Sequence, residues 1–147
     1  MSNSSITEDA RRRPELFRWN GPMSSADLQA WLDANPWMGR CPSDLLALWK
    51  DSGGGDVFET ETILGPAGEE ESGDDIVAVN REFRSRGMPV RFVVYHLGLM
   101  LSAFDSHEQN YVELERASFQ VVRRFGSLDE WYQNTLRAEY AQRYGLR

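Results

Sequence analysis

An α+β domain built on an antiparallel sheet is the class this sequence predicts, and three observations lead there. Stretches with helical spacing of apolar residues give way, between Val90 and Phe125, to four closely spaced strand-like segments. The gaps between those four are shorter than the dozen or so residues that a parallel crossover needs, so they form an antiparallel meander with helices packed at one face. The chain is 147 residues long, with 41% apolar and 27% charged residues. That is the size and balance of one folded domain and argues against wholesale disorder.

Residues 1–13 offer only Ile6 as a sizeable apolar group and end in Arg11-Arg12-Arg13, so a flexible tail is expected there. Residues 14–147 then form the single domain. Asn20-Gly21-Pro22 is turn chemistry. Ser24 or Ser25 caps a helix whose Leu28, Trp31 and Leu32 share a face, and Asn35-Pro36 ends it. Pro36 to Gly39 is a short apolar loop. Pro42-Ser43 opens the next helix, with Ser43 as the cap, Asp44 at the positive end and Leu45, Leu48 and Trp49 on one face. Gly53-Gly54-Gly55 closes it.

Val57 to Leu64 reads as one strand, and Gly65 to Gly73 as a polar loop. Asp74 or Asp75 caps a helix with Ile76, Val79 and Phe83 as its stripe, closed by Gly87 and Pro89. Strands are expected over Val90–His96, Leu99–Phe104, Tyr111–Glu115 and Phe119–Phe125. Ser127-Leu128-Asp129-Glu130 is a capping box for a long C-terminal helix carrying Leu128, Trp131, Tyr132, Leu136 and Tyr140, with Gly145 at its end.

Charge is unevenly distributed. Residues 1–50 hold six acids and six bases, residues 51–75 hold nine acids and no base, and residues 76–147 hold eight acids and ten bases. One short stretch therefore accounts for the whole net charge of −7. Its field repels a polyanion, which argues against nucleic-acid binding, and attracts a basic partner. No stretch approaches the roughly 20 apolar residues of a membrane span, and the N-terminal segment lacks the apolar centre of a secretory signal. A cytoplasmic setting is expected, and the single cysteine, Cys41, fits a reducing compartment.

The residues that invite chemistry have simpler readings. Gly53-Gly54-Gly55 follows a helix and precedes a strand, the reverse of a phosphate cradle, and Asp51 and Asp56 flank it. His96, Asp105 and His107 have donor types suited to a metal, yet they stand where turns are expected. Ser102 with His96 and Asp105 can be drawn as a triad, with nothing to supply an oxyanion hole. Arg40 and a helix N-terminus beside Cys41 would lower its pKa, but no histidine is near in sequence, and the residue reads as a packed thiol. The run Glu69-Glu70-Glu71 with Asp74-Asp75 lacks the alternating spacing of a calcium loop. Trp31, Trp49 and Trp131 sit at core spacing. Trp37, in a loop beside Met38, is a candidate binding anchor. No catalytic residue, metal or cofactor is expected.

Three pieces carry a family resemblance. The stretch from Cys41 through Ser43-Asp44-Leu45 to Gly53-Gly54 resembles the opening helix of the SUKH superfamily, in which a Leu-Pro pair starts a short helix that runs into an Asn-Gly-Gly-like turn. Phe104-Asp105 followed by Tyr111-Val112-Glu113-Leu114, and Phe125-Gly126-Ser127-Leu128-Asp129-Glu130-Trp131, agree in order and spacing, so the likeness covers residues 28–136. Cys41 stands where Leu is common and Ser52 where Asn is common, and Gly65 to Pro89 matches no motif of the family.

The resemblance implies a non-enzymatic α+β binding domain. Members include fungal regulators of cell-wall assembly and bacterial immunity proteins that neutralise a cognate toxin, often a nuclease. The expectation is therefore an immunity protein that occludes a toxin with a basic face. Asp56, Glu59, Glu61, Glu69, Glu70, Glu71, Asp74 and Asp75 are the charged candidates, with Trp37 as anchor. The alternative is a regulatory scaffold domain that binds an endogenous protein. An enzyme using His96, Asp105 and His107 ranks last.

Overall fold

The computed structural model describes residues 4–69, 73 and 75–146. Among these residues seven strands lie side by side in chain order, each antiparallel to its neighbours. They are β1 (Phe17–Trp19), β2 (Gly55–Val57), β3 (Glu61–Ile63), β4 (Phe92–Leu97), β5 (Leu101–Asp105), β6 (Asn110–Leu114) and β7 (Val121–Phe125). The helices are α1 (Ser5–Arg12), α2 (Ser25–Ala34), α3 (Ser43–Ser52), α4 (Ile76–Ser85), α5 (Leu128–Asn134) and α6 (Leu136–Tyr144). The α+β class, with its antiparallel meander and C-terminal helical segment, is as expected.

The centre of the sheet is buried on both sides. Val93 and Val94 on β4 and Ala103 and Phe104 on β5 are adjacent, point in opposite directions, and are all inaccessible to solvent. On one face Trp131 of α5 reaches Ser102. Leu97 pairs with Leu101, one position along from Ser102, and so lies on the other face. There it shares a hollow with Val79 and Phe83 of α4. Helices thus flank the sheet on two sides, a correction to the one-sided arrangement expected. Strands β4 to β6 need this because their apolar residues do not alternate with polar ones.

The first helix is a second correction. Residues 5–12, expected within a flexible tail, form α1, capped by the Ser4 hydroxyl, which accepts from Thr7 N–H. Ile6 is fully buried. Asp9 is buried too and accepts from Tyr132 Oη at 2.7 Å and Arg137 Nε at 2.9 Å. One apolar side chain suffices because the polar face is satisfied by partners more than 120 residues away.

Where one strand over Val57–Leu64 was expected, there are two, joined by a tight turn. Phe58 and Glu59 both adopt positive φ, 53° and 70°. That conformation is costly for side chains other than Gly or Asn. Phe58 offsets the cost by burying its ring completely, 4.8 Å from Tyr140, 5.7 Å from Tyr144 and 5.2 Å from Phe17.

Helix ends largely follow their caps. Ser24 accepts from Asp27 N–H, Asp75 from Val77 N–H and Ser127 from Glu130 N–H. Gly53, with φ +75°, closes α3, and an added Cβ there would run into the Gly21 carbonyl. Ser43 is not a cap; α3 begins at it, and Pro42 occupies the cap position. The expected long C-terminal helix is two helices, broken at Thr135 (φ −116°, ψ −87°). There the Thr135 hydroxyl bonds back to the Trp131 carbonyl, a local competitor of helical pairing.

Candidate functional site

The acid-rich stretch is divided by the fold. Asp51 ends α3 and is exposed, Asp56 projects from β2 and is exposed, and Glu59 sits in the β2–β3 turn, also exposed. Asp56 accepts from the Thr62 hydroxyl at 3.3 Å, and Glu59 from Tyr144 Oη at 2.7 Å. Asp56 and Glu59 share a hollow with Glu15, Leu16 and Arg18. Glu69 is exposed, and Asp75 is half-buried at the start of α4. Glu70, Glu71 and Asp74 lie outside the described residues.

Glu61 differs from the others. It turns inward, accepting from Tyr140 Oη at 2.6 Å through Oε2 and bonding His96 Nε2 at 2.7 Å through Oε1. Those partners hold its carboxyl below the ordinary glutamate range against the opposing effect of burial. The neighbouring Gly98 has no room for a Cβ, which would strike Glu61 Oε1 and His96 Cε1.

The chain of bonds continues from His96. Its Nδ1 lies 2.8 Å from Ser102 Oγ, which also accepts from Trp131 Nε1 at 2.9 Å. Serine, histidine and a carboxylate are thus in line, but the carboxylate is Glu61 and not the Asp105 drawn in the sequence-based triad. Ser102 is buried under Trp131, and both ring nitrogens of His96 are engaged. The arrangement ties β3, β4, β5, α5 and α6 together.

Asp105 serves a separate centre. It accepts from Arg91 Nε at 3.0 Å and Nη2 at 2.6 Å, from Arg124 Nη1 at 3.1 Å, and from the backbone N–H groups of His107 and Glu108. These five donors, Arg91 foremost, outweigh burial and hold its pKa at about 2. His96, Asp105 and His107 are therefore not brought to one point. Among the described residues, no three His, Cys, Asp or Glu side chains are grouped to hold a metal ion.

Cys41 behaves opposite to its sequence surroundings. Burial, and secondarily the Asp44 carboxylate, push its pKa up to about 12. Asp44, expected only as a charge at the positive end of a helix, is a junction. It accepts from Leu45 N–H, from Leu128 N–H at 2.8 Å and from the Tyr111 hydroxyl, joining α3, α5 and β6. Its place two residues after Pro42 is the only sequence signal for that role.

Trp37 does not join the acidic surface. It lies in a short 3-10 turn, Pro36–Met38, and its indole N–H donates to Asn35 Oδ1 at 2.9 Å. The Arg84 guanidinium stands 5.2 Å from its ring centre. Val77, Asn80, Arg81 and Arg84 surround it, so its neighbourhood is cationic.

Several arginines elsewhere are committed. Among the described residues, they pair with Glu8, Asp9, Glu15, Glu82, Asp105, Glu108 and Glu113. None pairs with Asp51, Asp56, Glu59 or Asp75. Among the described residues, no helix is long and apolar enough to cross a membrane. No protein-family model matches the sequence, and no curated protein matches it.

Proposed function

We propose that this chain is a non-enzymatic binding domain of the immunity type, which neutralises a protein toxin by covering a basic face of it. The observation that carries the reading is the set of carboxylates of Asp51, Asp56, Glu59 and Asp75, which make no ion pair with an arginine among the described residues, Arg18 standing across from Asp56 in the β1–β2 register, while other arginines spend their charge on other acids. Unneutralised surface charge is kept for long-range attraction, which raises association rates by an order of magnitude or more. A nuclease must itself be cationic where it grips phosphate, which makes it a complementary partner. Glu61 is left out of the contact set because Tyr140 and His96 occupy both its oxygens.

The test begins with affinity capture from the native cell, followed by rescue of growth when the captured protein is expressed beside this one. The triple variant Asp51→Lys, Asp56→Lys, Glu59→Lys is then compared with the parent in stopped-flow binding. Association should slow about tenfold at low salt and lose most of its salt dependence. Equal rates for the two proteins would refute the placement of the contact. A captured protein with no toxicity to rescue would refute the immunity role.

A further inference from the structure

The cleft between the Pro36–Met38 turn and α4 has a composition the acidic surface does not explain. It is a hollow of about 260 Å³ lined by Trp37, Val77, Asn80, Arg81 and Arg84. Neither arginine has a carboxylate partner among the described residues. Arg84 spends Nη2 on the carbonyls of Val90 (2.8 Å) and Phe92 (3.2 Å), and its Nε is buried with no acceptor. Burial without a counter-charge lowers its pKa, the sign of an uncompensated cation. Arg81, three residues away on the same helix face, is exposed.

We infer that this cleft binds a carboxylate, held by the guanidiniums of Arg81 and Arg84 with the Trp37 ring as one wall. The exposed Arg81 guanidinium matches the two oxygens of a carboxylate in a fork geometry, Arg84 adds a second positive charge beside it, and an aromatic wall excludes water from the pair. A singly charged anion is favoured over a doubly charged phosphate. Asp75 stands at the head of α4, two residues before the cleft residue Val77, and offsets one of the two guanidinium charges, leaving one positive charge for a monoanion to neutralise. None of Asp51, Asp56, Glu59 and Asp75 lines the cleft, and the variants that test the two readings share no residue, so either can fail without the other.

The probes are acetate, a blocked tri-glutamate peptide and inorganic phosphate, each titrated into the full chain. The readout is the Trp37 indole N–H resonance, assigned by its loss in Trp37→Phe. Acetate or the peptide should shift that resonance saturably, and Arg81→Gln should weaken binding about tenfold. The exposed Arg81 holds no structural bond among the described residues, so that variant folds. Equal affinity for acetate and peptide identifies a small-acid site, and tighter peptide binding identifies an acidic protein segment. Absence of a saturable shift, an unchanged affinity in Arg81→Gln, or tighter binding of phosphate than of acetate overturns the inference.

Discussion

The side-chain amide of Asn80 pairs with both backbone groups of Val94. It donates to the Val94 carbonyl at 3.0 Å and accepts from the Val94 N–H at 2.8 Å. Strand β3 stops pairing with β4 just before this point, the last contact being Leu64 N–H to the Tyr95 carbonyl. A primary amide carries one donor and one acceptor in the arrangement of a peptide unit. Asn80 thus extends the sheet by one residue's worth of pairing from within a helix.

That role makes Asn80→Leu costly. The Val94 N–H and carbonyl would be left buried without partners, a loss of about 2–5 kcal/mol. Urea denaturation should show a lowered midpoint with the slope unchanged. Asn80→Asp should fare no better, because a carboxylate cannot donate to the carbonyl.

Acid sensitivity should centre on Asp105. Its folded pKa, about 2, lies below the ordinary aspartate value, so the unfolded state binds its proton more readily. Its stabilising contribution is complete above about pH 4 and is lost as pH falls toward 2. Asp105→Asn should remove that part of the pH dependence. It should also cost about 2–4 kcal/mol near neutral pH, since Arg91 and Arg124 lose their shared counter-charge. Thermal unfolding followed from pH 2 to 7 in both proteins checks the sign and the window.

Cys41 should be inert in the folded protein. With its pKa raised to about 12, almost no thiolate exists at pH 8. Iodoacetamide labelling at pH 8 should be at least tenfold slower in native protein than in urea. Equal rates would show that the thiol is not buried as described.

Ile6→Ala tests the placement of α1. A fully buried isoleucine reduced to alanine costs about 2–5 kcal/mol, whereas the same change in a frayed tail costs nothing measurable. Asp9→Ala should have a comparable effect by stripping Tyr132 and Arg137 of their acceptor. Both are read from melting temperatures.

What could be read from the chain in advance was local. Ser24, Gly53, Ser127 and Gly145 act within one helical turn of themselves, so their residue types announce their roles. The four C-terminal strands lie between short turns and were legible for the same reason. The β2–β3 turn was not, because Phe58 and Glu59 are poor turn formers held there by Phe17, Tyr140 and Tyr144 from distant parts of the chain. Asn80 reads as an ordinary polar interruption until Val94 is brought beside it. The exposed acids were visible as a charge count, but the inward turn of Glu61 depends on Tyr140, and the cationic setting of Trp37 depends on Arg81 and Arg84.

The docking of α1 has a consequence for biosynthesis. Its Asp9 waits for Tyr132 and Arg137, and its Ser5 N–H for Asp129, all of which leave the ribosome more than a hundred residues later. Helix α1 is therefore made well before the residues that satisfy it, and the emerging chain must carry an unsatisfied helix until Arg137 has been added.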